Sequence, residues 1–98
     1  MKDILSKLNK AFESRVRLGI MSVLVVNDWV DFNTMKYLLE ATDGNLASHL
    51  KALELKELIE MRKQFVGRKP KTSYRVTHTG RQLFKQHIEA LENLINNQ

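Results

Sequence analysis

A long stretch of the chain carries basic side chains and no acidic ones. Between Glu60 and Glu89 there are eight lysines and arginines and no carboxylate: Arg62, Lys63, Arg68, Lys69, Lys71, Arg75, Arg81 and Lys85. Positive charges without nearby negative ones repel each other unless a polyanion binds them. Lysine attracts phosphate as a point charge, and arginine can enter a narrow minor groove of DNA. The stretch therefore favours a nucleic-acid partner, with phosphate contact as its chemistry.

The centre of this stretch has the pattern of a β-hairpin, which we place at residues 58–77. Side chains alternate from residue 59 to 66, residues 67–71 predict a five-residue turn, and residues 72–77 are a second β-prone run. At the turn the backbone can approach a minor groove or a row of phosphates. The alternative is a basic edge hairpin that resists aggregation. The residues of the hairpin predicted to contact DNA are Arg62, Lys63, Arg68, Lys69, Lys71 and Arg75.

The helix before the hairpin has one apolar face and one short polar face. The leucines expected to point inward are Leu46, Leu50, Leu53 and Leu58. This leaves Asn45, Ser48, His49 and Ala52 on or near the opposite face, where small side chains allow close approach to base edges in a major groove. Asn45 either pairs with adenine or caps the helix, and Lys51 and Lys56 are expected to reach phosphates. The alternative is an ordinary solvent-exposed helix face.

The remaining segments predict four more helices, the first of them in residues 1–13, and a short strand. Ser14 is expected to cap a helix over residues 15–26, and residues 29–32 are β-prone. Asn33 or Thr34 is expected to cap the next helix, and residues 42–45, Thr-Asp-Gly-Asn, predict a tight turn. Thr77 or Thr79 is expected to start a last helix that runs to about Asn96. We expect Tyr74 and Val76 to point inward against the helices, and Trp29 and Phe65 to pack in the core or against the strands.

Apolar stripes near the two ends of the chain are candidates for a dimer interface. The stripe on the last helix has spacings of four, three and four, which suit pairing with another helix or packing on the first helix of the same chain. The predicted interface residues are Ile4, Leu5, Leu8, Phe12, Phe84, Ile88, Leu91 and Ile95. We assign residues 1–13 and 78–96 to these terminal helices, within a single domain over residues 1–98.

Composition and spacing argue against several other classes of protein. The chain has no cysteine, and its three histidines, His49, His78 and His87, are not spaced as a helical metal site, so neither a metal nor another cofactor is expected. No nucleotide-binding loop or nucleophile motif is evident, so we expect no enzyme. No membrane span or signal peptide is evident, and the default location is the cytoplasm. Scattered aromatic residues argue against single-stranded nucleic acid as the main ligand.

Several of these segments together resemble a known family. Residues 44–54 are similar to the recognition helix of small ArsR- and MarR-like regulators, and residues 58–60, 65–77 and 79–81 resemble the hairpin and exit helix of compact winged helix-turn-helix regulators. The resemblance covers residues 12–92, and its specific part is 44–81.

The resemblance implies a fold that is mainly α with a small β-hairpin, in which residues 33–57 form the helix-turn-helix and residues 58–77 the hairpin, called the wing. It implies that the N- and C-terminal helices form a dimer interface. The implied function is a sequence-specific regulator of transcription that binds double-stranded DNA as a homodimeric repressor. The resemblance allows a small-molecule effector and does not specify one. The alternative is a winged-helix module that contacts RNA or proteins in a larger assembly.

Overall fold

A computed structural model of the protein describes residues 1–96. The described elements, in chain order, are α1 (Lys2–Leu5), a 3₁₀ turn (Lys10–Phe12), α2 (Arg15–Leu24), β1 (Val30–Asp31), α3 (Phe32–Leu39), α4 (Asp43–Leu55), β2 (Ile59–Val66), β3 (Lys69–Val76) and α5 (His78–Asn96). The predicted order of helices and strands is confirmed. Residues 97 and 98, which the predicted domain includes, lie outside the described residues.

Side-chain caps determine where α2 and α3 begin. Ser14 Oγ accepts a hydrogen bond from the Arg17 amide at 3.3 Å, so the predicted cap of α2 is confirmed. Neither Asn33 nor Thr34 caps α3. Asp31 does so, because its carboxylate accepts from the Thr34 amide at 3.1 Å and from the Thr34 hydroxyl at 2.6 Å. The hydrogen bond from that hydroxyl lowers the pKa of the Asp31 carboxyl.

The turn between α3 and α4 lies earlier than the sequence predicted. Thr42 Oγ1 accepts from the Asn45 amide at 3.2 Å, so residues 43–45 form the first turn of α4. The chain reverses instead at Glu40, whose backbone adopts the left-handed conformation with φ 50° and ψ 40°. The predicted turn over residues 42–45 is therefore wrong, since the threonine cap makes the Asp-Gly-Asn segment helical.

Three antiparallel strands form one sheet in the order β1-β3-β2. Val66 pairs with Lys69, so a two-residue turn, Gly67-Arg68, joins β2 to β3. Gly67 has φ +64°, which suits glycine in a two-residue hairpin turn. The predicted five-residue turn is thus wrong. Lys69 and Pro70 belong to β3, and Pro70 is accommodated because β1 pairs only with Tyr74 and Ser73 further along that strand.

The core lies between the helices and the inner end of the sheet. The largest fully buried side chains are Phe12, Ile20, Met21, Leu24, Met35, Leu46, Leu50, Leu53 and Ile59. Leu58 is also buried, so all four predicted inward-facing leucines are confirmed. Helix α5 begins after Thr77, whose Oγ1 accepts from the Gly80 amide at 2.9 Å and donates to the Glu57 carbonyl at 2.8 Å. The cap thus joins the start of α5 to the end of the helix-turn-helix.

Two residues predicted for a dimer interface belong to this core. The rings of Phe12 and Phe84 pack edge to face with centroids 5.2 Å apart, and both side chains are buried within the single chain. The predicted first helix is also interrupted, since α1 ends at Leu5 and the 3₁₀ turn begins at Lys10. For Phe12 and Phe84 the interface prediction is therefore wrong, because their own chain buries them.

His87 fastens the N-terminal segment to α5. Its ring is buried beside Phe12, and its Nδ1 accepts a hydrogen bond from the Asn9 amide at 3.0 Å. Burial lowers the pKa of the His87 imidazole, against a smaller opposing effect of Glu13. No helix in the described part of the chain has the length and hydrophobicity needed to cross a membrane.

Candidate nucleic-acid interface

Helix α4 presents the polar face that the sequence predicted. Leu46, Leu50 and Leu53 fix its rotation, because all three are buried. Asn45, Ser48, Lys51 and Lys56 are exposed, and His49 and Ala52 are half-buried beside them. Thr42 is the cap, so the capping role proposed for Asn45 is wrong, while its pairing with adenine stays a prediction.

His49, one of the two half-buried residues of this face, is hydrogen-bonded to a neighbouring helix. The Nε of Arg17, on α2, donates a hydrogen bond to His49 Nδ1 at 2.9 Å. This hydrogen bond holds the ring of His49 against α2. Arg17 was absent from the predicted site residues, because 32 residues separate it from His49 and only the packing of α2 on α4 brings them together.

The wing extends beyond the core as a strongly basic hairpin. Five of its cations are exposed, and none of them has a carboxylate within 4.0 Å in residues 1–96: Arg62, Lys63, Arg68, Lys69 and Lys71. Arg68 lies in the turn itself, and Lys69 begins β3 directly after it. The strand register places Arg62, Lys69 and Lys71 on one face of the wing and Lys63 on the other, so cations on both faces can neutralise phosphates of a nucleic-acid backbone.

Arg75 differs from the other predicted contact residues. It is paired with Glu60, its direct cross-strand partner, and its Nη1 lies 3.8 Å from Asp28 Oδ1. Its guanidinium also lies 4.6 Å from the centre of the Trp29 ring. The prediction of Arg75 as an uncompensated cation is wrong, because the strand register places carboxylates beside it.

The prediction that Trp29 packs in the core or against the strands is confirmed, and the same prediction for Phe65 is wrong. Trp29 is half-buried and has arginine guanidinium groups against its ring, one of which belongs to Arg62 at 4.3 Å. Phe65 is 77% exposed, directly opposite Pro70 near the tip of the wing. The alternation of residues 59–66 identifies the face on which Phe65 lies. It does not show that the wing at this point has extended beyond the helices.

The remaining candidates for the dimer interface lie in the terminal segments of the chain. Leu5 and Ile95 are exposed to 50% and 77%, and Ile4, Leu8, Ile88 and Leu91 are half-buried. Helix α1 contacts α5 of the same chain, so this intrachain packing uses part of the apolar surface. Among the described residues no group of three or more His, Asp or Glu side chains could hold a metal ion.

The arrangement of α3, α4 and the β2-β3 hairpin defines a winged helix-turn-helix. The sequence pattern of the winged helix DNA-binding domain family matches residues 16–95, and the chain belongs to that family. It is also 38% identical over 88 residues to an uncharacterised protein of Methanocaldococcus jannaschii, covering 90% of this chain and 96% of that protein.

Three solved structures share the fold. A transcriptional regulator homologue from Pyrococcus horikoshii is 29% identical, with a TM-score of 0.85 over 98% of this chain and 93% of its own. NadR, solved in complex with 4-hydroxyphenylacetate, has a TM-score of 0.74 at 18% identity over 99% and 68%. HlyU from Vibrio cholerae has a TM-score of 0.68 at 20% identity over 99% and 96%. The last two establish likeness of fold alone.

Proposed function

We propose that this protein is a sequence-specific regulator of transcription that binds double-stranded DNA. The observation that carries the proposal is the exposed polar face of α4 beside a wing with five cations that lack carboxylate partners in the described chain. An α-helix fits the major groove, where base edges can be distinguished. The wing supplies contacts to phosphates or to the adjacent minor groove, which provide affinity for any sequence.

Helix α4 and the wing have different roles in the proposed binding of DNA. Asn45, Ser48, His49 and Ala52 read base edges, because they are short and lie on or near the face of α4 opposite its buried leucines. Lys51 and Lys56 contact phosphates at the edges of the same groove. Arg68 and Lys69, at the wing turn, hold the domain on the duplex and contribute most of the salt dependence.

A homodimer completes the proposed regulator. The exposed apolar side chains of Leu5 and Ile95, with the half-buried Ile88 and Leu91, form the patch that a second copy would cover. A two-fold dimer would place two α4 helices at half-sites about one turn of DNA apart. Sedimentation equilibrium of the full chain should give a dimer that Ile95→Glu and Leu91→Glu weaken, whereas Lys85→Glu on the same helix should leave it intact. A monomer at all concentrations would remove this part of the proposal.

We propose that the regulator acts as a repressor, because the dimer occupies a promoter. We also propose that it acts in the cytoplasm. Transcription from a promoter that carries the DNA sequence preferred by the protein should fall when the protein is added. A rise in transcription would be compatible with the proposed DNA binding, but it would overturn the proposal of repression and indicate an activator. No effector is required for this mechanism.

The decisive experiment is a fluorescence-anisotropy titration of duplex DNA at several salt concentrations. We expect tight binding at low salt that weakens steeply as salt increases, and a preferred sequence from selection in a random duplex library. An RNA duplex and a single-stranded DNA of the same length serve as competitors. No duplex binding at low salt, or preferential binding of RNA, would overturn the proposal and favour an assembly module instead.

A further inference from the structure

The contact between Arg17 and His49 determines which hydrogen-bonding character the histidine presents. Arg17 is the third residue of α2, and its Nε donates to His49 Nδ1 at 2.9 Å. His49 lies one helical turn after Asn45 on α4 and three residues before Ala52, so it shares their side of the helix. The residue is half-buried, so it is partly accessible to a ligand.

The chemistry of imidazole converts this contact into a defined tautomer. A neutral imidazole has one nitrogen that donates and one that accepts. The hydrogen bond made by one nitrogen therefore sets the role of the other. Since Nδ1 accepts from Arg17, the proton is on Nε2, and the nitrogen that remains for a ligand is a donor.

We infer that Arg17 is a positioning residue that makes His49 a hydrogen-bond donor toward an acceptor atom in the major groove. This inference rests on the proposed function. Guanine presents two acceptors there, O6 and N7, and thymine O4 and adenine N7 are also acceptors, whereas cytosine presents only its amino donor. His49 should therefore select against cytosine at the base that it contacts and favour guanine.

The first test needs no DNA and so does not depend on the proposed function. Long-range ¹H–¹⁵N NMR spectra of the full chain report which nitrogen of His49 carries the proton. We expect the Nε2–H tautomer in the wild-type protein. The Nδ1–H tautomer, or an even mixture of the two, would overturn the inference even if the protein binds DNA.

Two substitutions separate the donor of Arg17 from its charge. Arg17→Gln places an amide nitrogen at the position of Nε without the charge, whereas Arg17→Lys keeps the charge and places a methylene group there. We expect the glutamine variant to keep the Nε2–H tautomer and the lysine variant to mix the two. If both variants behave alike, the contact does not set the tautomer.

The second test measures base preference at each position of the selected site. We expect the wild-type protein and Arg17→Gln to disfavour cytosine about tenfold at one position, and Arg17→Lys to do so less than about threefold. In a His49→Ala background the lysine substitution should change no preference. Arg15→Ala, which removes a charge from the same helix, should weaken binding equally at all sequences. A loss of preference in Arg17→Gln equal to that in Arg17→Lys would overturn the inference, and absence of duplex binding would overturn the proposed function alone.

Discussion

The guanidinium of Arg62 lies 4.3 Å from the centre of the Trp29 ring, so a residue of β2 is joined to the residue that precedes β1. The two strands do not pair with each other, because β3 lies between them. Arg75 of β3 contacts the same ring at 4.6 Å, and Ser73 is buried nearby in the same strand. The tryptophan thus links all three strands at the base of the wing.

Replacement of Trp29 should destabilise the fold where the three strands meet. We expect Trp29→Leu to lower the free energy of unfolding by about 1–2 kcal/mol, because two cation–π contacts and their packing are lost. Trp29→Phe should recover part of the loss. Glu60→Gln removes the exposed ion pair between Glu60 and Arg75, and it should lower the free energy of unfolding by less than about 1 kcal/mol. Urea denaturation measures all three, and an equal loss in Trp29→Leu and Glu60→Gln would contradict the role given to the ring.

The wing and α4 should respond differently to substitution. We expect Arg68→Ala with Lys69→Ala to weaken binding to all duplexes and to reduce the log–log salt slope by about 2, since each phosphate contact contributes about 0.9. Ser48→Ala should instead change the preference among sites by about 1–3 kcal/mol and leave the slope unchanged. Titrations of two different duplexes at four salt concentrations decide this. Identical behaviour of the two variants would show that the roles are assigned wrongly.

Phe65 should matter for binding and not for folding. Its side chain is 77% exposed among wing cations, so Phe65→Ala should change the free energy of unfolding by less than about 0.5 kcal/mol. We expect the same substitution to weaken duplex binding, because an apolar side chain at a basic tip can pack on sugars or wedge between base steps in the minor groove. Phe65→Leu, which keeps an apolar group, should bind better than alanine. Unchanged affinity in Phe65→Ala would exclude the contact.

Gly80 should be among the least replaceable residues of the protein. A Cβ at this position would overlap the Leu58 carbonyl oxygen, where α5 passes the end of the helix-turn-helix. We therefore expect Gly80→Ala to cost more than about 2 kcal/mol through overpacking. Gly44→Ala is the matched comparison, since nothing lies within 4 Å of its added Cβ and the helix should gain about 0.5 kcal/mol. Thermal unfolding of both variants tests the packing, and equal effects would contradict it.

His87 should make folding stability depend on pH. Burial lowers its pKa in the folded protein below the value of about 6.5 expected for an unfolded chain. The unfolded state then binds the proton first as pH falls, so the stability that neutral His87 contributes is present above about pH 6.5 and decreases below it. Protonation also removes the acceptor for the Asn9 amide.

The measurement is urea denaturation between about pH 7.5 and pH 5. His87→Gln keeps an acceptor but does not titrate, so its stability should vary less with pH than that of the wild-type protein. His78→Gln, at an exposed position, should retain the wild-type dependence. The same pH dependence in all three proteins would exclude His87 as the cause.

Much of the fold could be predicted because local chemistry determines it. The leucines of α4 recur at helical spacing and are buried as expected, and Ser14 and Thr77 cap the helices that follow them. The alternation in residues 59–66 forms a strand as predicted. The errors occurred where several local solutions compete. Either Asp31 or a neighbouring polar residue can cap α3, and a Gly-Arg-Lys-Pro-Lys segment allows more than one hairpin register.

The sequence by itself determined the composition of the candidate interface: an α4 face of short polar side chains and a wing rich in cations without acidic neighbours. These are properties of spacing and charge, which are visible along the chain. Only the tertiary structure decided which of these groups are already engaged. The register of β2 and β3 places Glu60 beside Arg75, the packing of α2 on α4 brings Arg17 to His49, and the core encloses Phe12 and Phe84. Such pairings join residues that are far apart in sequence, so no local pattern specifies them.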